Sequence, residues 1–121
     1  PTDLTGVVVD RLGQFTLFQA FCKNMRGLIF KRVFPCKGRS TSYAKVWPFQ
    51  VAGVYIDADH SYQACMEDME AWWPHVLPGG VLCGHDYYTF PEVERAVKDF
   101  ITKYNLSGHV HGQVWWIPKD A

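Results

Sequence analysis

One pattern constrains this chain more than any other: a short apolar run stops abruptly at acidic residues, and a helix-periodic segment follows at once. Val51 to Ile56 is such a run, and it closes in Asp57-Ala58-Asp59-His60. A run this short, with Gly53 inside it, predicts a strand covered on both faces. From Ser61 onward, Tyr62, Cys65, Met69, Trp72 and Val76 recur at helical spacing, while Gln63, Glu67 and Glu70 fall on the other side. Pro78-Gly79-Gly80 breaks that helix. Val81-Leu82-Cys83-Gly84 then predicts a second buried strand, which also ends in polar residues, His85-Asp86-Tyr87.

The rest of the chain repeats the alternation. Val7-Val8-Val9 is a β-branched run ending in Asp10, with Gly13 in the turn behind it. Phe15, Phe18, Phe21, Cys22 and Met25 form an amphipathic helix pattern, with Lys23 and Arg26 in its last turn and Gly27 at its stop. Leu28 to Phe34 reads as a strand closed by Pro35, and Lys37-Gly38-Arg39-Ser40 as a loop. Ser40 or Thr41 is placed to cap a short helix that must end before Pro48.

Thr89-Phe90-Pro91-Glu92 has the spacing of a capping box. Behind it, Val93, Ala96, Val97, Phe100, Ile101 and Tyr104 make an apolar stripe, with Glu94–Lys98 and Asp99–Lys103 as outer pairs. Two short strands surround Gly112-Gln113, the second being Val114 to Ile117. Strands alternating with helices specify an α/β domain with a mainly parallel sheet, and the closing hairpin adds an antiparallel edge. In such sheets ligands bind beyond the carboxyl ends of the strands. Those ends carry Asp10, the Lys37–Ser40 loop, Asp57 to His60, and His85-Asp86.

Composition narrows the function classes. The 121 residues fit one domain spanning residues 1–121, and 16% aromatic content excludes a disordered tail. Twelve basic residues balance twelve acidic ones, whereas nucleic-acid and anionic-membrane binders use a basic excess. No apolar run approaches the roughly 20 residues of a spanning helix, and no signal peptide is visible. Cys22, Cys36, Cys65 and Cys83 are far apart, with no CxxC pair. They read as free, buried thiols in a cytoplasmic setting. His109 and His111 share one side of a strand, too few ligands for zinc.

The ordered set Ile56-Asp57-Ala58-Asp59-His60-Ser61-Tyr62, Trp72-Trp73-Pro74, Leu77-Pro78-Gly79-Gly80 and Gly84-His85-Asp86-Tyr87 resembles the second half of class I S-adenosylmethionine-dependent methyltransferases. The likeness is to their small-molecule branch, with its IDADHSY…PGG…GHDY pattern, and it runs from about Phe15 to Lys119. It implies a Rossmann-like methyltransferase sheet, to which the strands here would contribute the second to seventh members. The family's first strand and glycine-rich cofactor loop have no counterpart in this reading, so the domain is expected to be incomplete. The start at Pro1 rather than Met fits that expectation.

The same resemblance assigns roles. Asp10 matches the acidic residue that holds the cofactor's ribose hydroxyls, and Gly38 and Ser40 match the turn near adenine. Asp57 also belongs to this cofactor-binding set. Asp57, His85 and Asp86 match positions that hold a divalent cation in some relatives, Mg or Mn, the imidazole nitrogen favouring Mn. Asp57 and His85 are the catalytic candidates, His85 as a base suited to neutral pH; Asp59 and His60 are read as supporting groups. The expected activity is methyl transfer from S-adenosylmethionine to an oxygen of a small molecule. The alternative is a non-catalytic remnant of the fold that serves as an oligomerisation module, a homo-oligomer completing the sheet.

Overall fold

The computed structural model describes residues 18–121, together with the backbone of Thr2–Asp3, Val7–Val8 and Leu17. It divides into two compact units, Pro1–Gly38 and Arg39–Ala121. In the first, β1 (Thr2–Asp3) pairs antiparallel with β2 (Val7–Val8), and α1 spans Leu17–Asn24. The expected helix is present. The expected strand over Leu28 to Phe34 is not: those residues form turns around a single Ile29–Val33 bridge. Phe30 lies at φ 60°, and its N–H bonds the Val33 carbonyl at 2.8 Å, so the segment folds back on itself. The charged pair Lys31-Arg32 occupies the tip of that turn, where a buried strand would have had to desolvate it.

The second unit carries the sheet. Its elements are α2 (Ser40–Val46), β3 (Val51–Ile56), α3 (Tyr62–Trp72), β4 (Val76–Gly84), α4 (Pro91–Tyr104), β5 (His109–His111) and β6 (Val114–Pro118). The strand order is β3-β4-β6-β5, with β3 and β4 parallel and the other pairs antiparallel. The α/β architecture with a C-terminal antiparallel hairpin is therefore borne out, but the expected mainly parallel sheet is corrected to a mixed one. Among the described residues only the β3–β4 strand pair is parallel, because β6 of the closing hairpin pairs directly with β4 and Leu28 to Phe34 forms turns in place of a strand.

Three local expectations are corrected. Val51–Ile56 forms a strand, but Ala52, Gly53 and Tyr55 are exposed, because β3 is an outer member of this four-stranded sheet. Pro78-Gly79-Gly80 ends no helix directly. Helix α3 has already given way to a 3₁₀ turn at Trp73–His75, and the three residues bulge within β4, where the step Val51–Gly53 faces Val76–Val81. Lys119 fastens the bulge, taking the Gly79 N–H on its carbonyl and giving its own N–H to Gly80, each at 2.8 Å. A Cβ on Gly80 would meet the Ala52 carbonyl oxygen at 2.5 Å, so only glycine lets the two strands approach. The capping box does not form either. Phe90 is the N-cap of α4, and Glu92 instead accepts from the Tyr62 N–H and from Arg95.

Packing follows most of the predicted α4 stripe, whereas Tyr104 and Phe21 are exposed and Val76, expected on the α3 face, is buried as the first residue of β4. Val93, Ala96, Val97 and Phe100 of α4 pack with Cys65 and Met69 of α3 and with Leu82, Trp115 and Ile117 of the sheet in one buried cluster. The four cysteines are free, but only Cys65 is buried and Cys36 is exposed, so the expectation of uniformly buried thiols fails for Cys36. Burial pushes the Cys65 thiol up to about 11. Iodoacetamide at about pH 8 is expected to alkylate Cys36 well before Cys65, since only thiolate reacts. Peptide mapping with equal rates at the two positions would contradict the burial.

Candidate functional site

The site is built where β3 and β4 end side by side. Their parallel ladder pairs Ile56 with Gly84, and the His85 N–H continues it to the Ile56 carbonyl at 3.4 Å. Asp57 and His85 therefore leave the sheet as neighbours. Gly84 is needed at this point: a Cβ there would meet the Trp115 ring at 2.5 Å and the Ile56 carbonyl at 2.6 Å. Neither the rigid ring nor the backbone can move away cheaply. The approach of β6 thus fixes where the loop after β4 starts.

Asp86 follows with φ 63°, the left-handed region that Asp adopts more readily than most residues. Its carboxylate lies between two imidazoles. His60 Nε2 is 2.8 Å from Oδ2, and His85 Nδ1 is 3.1 Å from Oδ1. Phe90 stacks on the His60 ring at 3.9 Å and 10°, which locks that ring's orientation. Asp57 Oδ1 stands 3.9 Å from the same His60 Nε2. One ligand atom from each of Asp57, His60 and Asp86 lies within 4.8 Å of the other two.

Burial alone would push the Asp86 carboxyl up, but the hydrogen bonds and charge of His60 and His85 outweigh it and hold the group below its ordinary value. Depression means that the folded state favours the ionised form. The stabilisation is therefore present above the ordinary carboxylate range and is lost as pH falls through the folded-state value. A carboxyl-carbon shift titration of Asp86 is expected to show a midpoint below the usual value of about 3.9; a midpoint above it would contradict the two bonds. The Ser61 N–H, 2.8 Å from Asp59 Oδ1, holds the Asp59 carboxyl low and fixes the turn into α3.

A groove of about 370 Å³ runs along β3 beside Asp57, lined by Ser40, Tyr55, Asp68 and Trp72 among others. The Ser40 hydroxyl does not cap α2. Arg39 occupies the cap position without a side-chain bond, whereas Ser40 Oγ accepts from Trp72 Nε1 at 2.6 Å and also bonds Asp68. Burial is the main influence on Asp68 and raises its carboxyl, with the Ser40 bond opposing.

Of the residues singled out in the sequence, Asp57, His85 and Asp86 come together here, and Ser40 shares the groove with Asp57. Gly38 belongs to the first unit. Asp10 lies outside the described residues. The sequence places His60 among the supporting groups and His85 among the ligands. The structure instead groups His60 with the two carboxylates and sets His85 on the far side of Asp86. Asp68 is not singled out in the sequence, although an acidic residue three positions after Cys65 and one before Met69 falls on the buried face of α3.

Among the described residues no helix is long and apolar enough to cross a membrane. A family profile described as a methyltransferase domain matches residues 8–87. No curated protein matches the sequence. Among solved structures, the O-methyltransferase NovP is similar at 18% identity and a TM-score of 0.73, over 85% of this chain and 45% of its own. A Clostridium thermocellum protein assigned as an rRNA methylase superposes with a TM-score of 0.68 at 13% identity, over 94% of this chain and 70% of its own. CalS11, a TDP-rhamnose 3'-O-methyltransferase of calicheamicin biosynthesis, does so with a TM-score of 0.60 at 15% identity, over 80% of this chain and 45% of its own. The chain thus spans under half the length of NovP and of CalS11, and at these identities the likeness is one of fold.

Proposed function

The chain belongs to the methyltransferase-domain family, and from that premise we propose that it carries an S-adenosylmethionine-dependent O-methyltransferase site that acts on a small molecule with the help of a divalent cation. The observation that carries this reading is the convergence of Asp57, His60 and Asp86 at the ends of two neighbouring parallel strands. Two carboxylates and one imidazole suit Mn²⁺ or Mg²⁺, ions that combine oxygen ligands with at most a little nitrogen. When bound, S-adenosylmethionine supplies the methyl group, and a divalent cation lowers the pKa of an acceptor hydroxyl.

The protein's own residues divide the remaining work. Asp57, His60 and Asp86 would hold the cation. With Nδ1 turned to Asp86, His85 keeps Nε2 without a partner among the described residues, and that atom is the one free to take the acceptor's proton. Asp86 would then steady the imidazolium formed on His85, as a carboxylate does behind a general base. Ser40 and the groove beside Asp57 would take part of the cofactor. Zero net charge favours a small acceptor over nucleic acid.

Calorimetry with S-adenosylmethionine and with its demethylated product, each with and without Mn²⁺, tests the proposal. Binding of the cofactor supports it, and added chelator should weaken the binding of an acceptor rather than of the cofactor. Absence of any heat or shift with either molecule would overturn it in favour of a non-catalytic remnant.

A further inference from the structure

The loop that carries Asp86 is held from an unexpected place, the tip of the C-terminal hairpin. Four successive backbone N–H groups follow Asp86. The Tyr87 N–H bonds the Gln113 carbonyl oxygen at 3.1 Å, and the Tyr88 and Thr89 N–H groups both bond the Gln113 side-chain oxygen, at 2.9 and 3.1 Å. The fourth, from Phe90, closes on the Asp86 carbonyl at 3.3 Å. One residue thus satisfies three consecutive donors of a loop that has no strand partner of its own.

We infer that Gln113 is a positioning residue, which holds Asp86 in its left-handed conformation and so keeps the Asp86 carboxylate and the Phe90-backed His60 ring convergent with Asp57. This rests on the cation-site reading above. The argument is geometric. A left-handed backbone on a residue other than glycine persists only when its surroundings over-determine it. Here the determinants are the three bonds to Gln113 behind Asp86 and the close packing of Gly84 against Trp115 in front of it. Gly112, at φ 59°, makes the tight turn that delivers Gln113 to the loop. The hairpin tip is thereby coupled to the site across the antiparallel β4–β6 pairing.

The test is a titration of the full chain with Mn²⁺ alone, followed by the electron paramagnetic resonance of the free ion. Gln113→Ala is expected to weaken Mn²⁺ binding by about tenfold or more, the span found for groups that orient ligands. Gln113→Glu retains an oxygen able to accept from both N–H groups and should restore binding to within about threefold of the parent. Glu70→Gln, which disturbs only a surface contact to Lys103 and Tyr104, should leave it unchanged. Should Gln113→Ala not fold, Gln113→Asn, which keeps the backbone bond and shortens the side chain, is read in its place. Parent-like Mn²⁺ affinity in the Ala or Asn variant, or a Glu variant as weak as the Ala variant, overturns the inference. Failure of the parent chain itself to bind Mn²⁺ overturns instead the cation-site reading on which it rests.

Discussion

Replacing Asp86 by alanine is expected to lower Mn²⁺ affinity by more than about 100-fold, beyond the roughly 10- to 100-fold loss typical of groups that only support ligands. The substitution removes one ligand atom of the convergent set and at the same time leaves His60 and His85 without the carboxylate they share. Asp86→Asn separates the two effects. Asparagine tolerates the left-handed backbone and still offers an oxygen to one imidazole, so the loop keeps its shape while the charge is lost. Its affinity should fall between those of the parent and the alanine variant. Asp57→Ala should also abolish tight Mn²⁺ binding while its cofactor affinity, measured with chelator present, reports the other role assigned to Asp57. A loss of less than tenfold in Asp86→Ala would remove Asp86 from the site.

The second large effect concerns the core beneath. Phe100→Ala is expected to destabilise the chain by about 3–5 kcal/mol, the usual range for deleting a buried phenyl ring. Phe100 is 0% exposed and touches two further rings, Trp73 edge-on at 6.0 Å and Tyr104 tilted at 4.8 Å. Both contacts disappear, and α4 cannot collapse into the space without giving up Ala96 and Val97, which pack beside it. Domains of this size hold only about 5–15 kcal/mol in all, so the variant should melt far below the parent. Urea unfolding followed by tryptophan fluorescence measures the change. A loss below about 1 kcal/mol would mean that Phe100 is not where the helix meets the sheet.

The legibility of the site divides along physical lines. Asp57 and His85-Asp86 stand out in the sequence because each ends an apolar run, and in open α/β sheets ligands bind beyond the carboxyl ends of the strands. His60 and Gln113 do not stand out. The position of His60 beside the two carboxylates depends on the rotation of its ring, set by Phe90 from thirty residues further along the chain. Gln113 acts through backbone groups it meets only after the hairpin has paired with β4. Leu28 to Phe34 misled for the opposite reason. Its apolar content matches a strand, yet its backbone turns tightly at Phe30.

The sequence by itself determined the kind of domain, the helix stripes, the closing hairpin and the acidic strand ends, because each is a property of local periodicity or of one short segment. Only the tertiary structure decided which histidine joins the carboxylates, that Ser40 bonds Trp72 and Asp68 rather than capping a helix, and that Pro78-Gly79-Gly80 bulges inside a strand fastened by Lys119. Those outcomes depend on distances between residues far apart in the chain. They are set by packing, which no local pattern encodes.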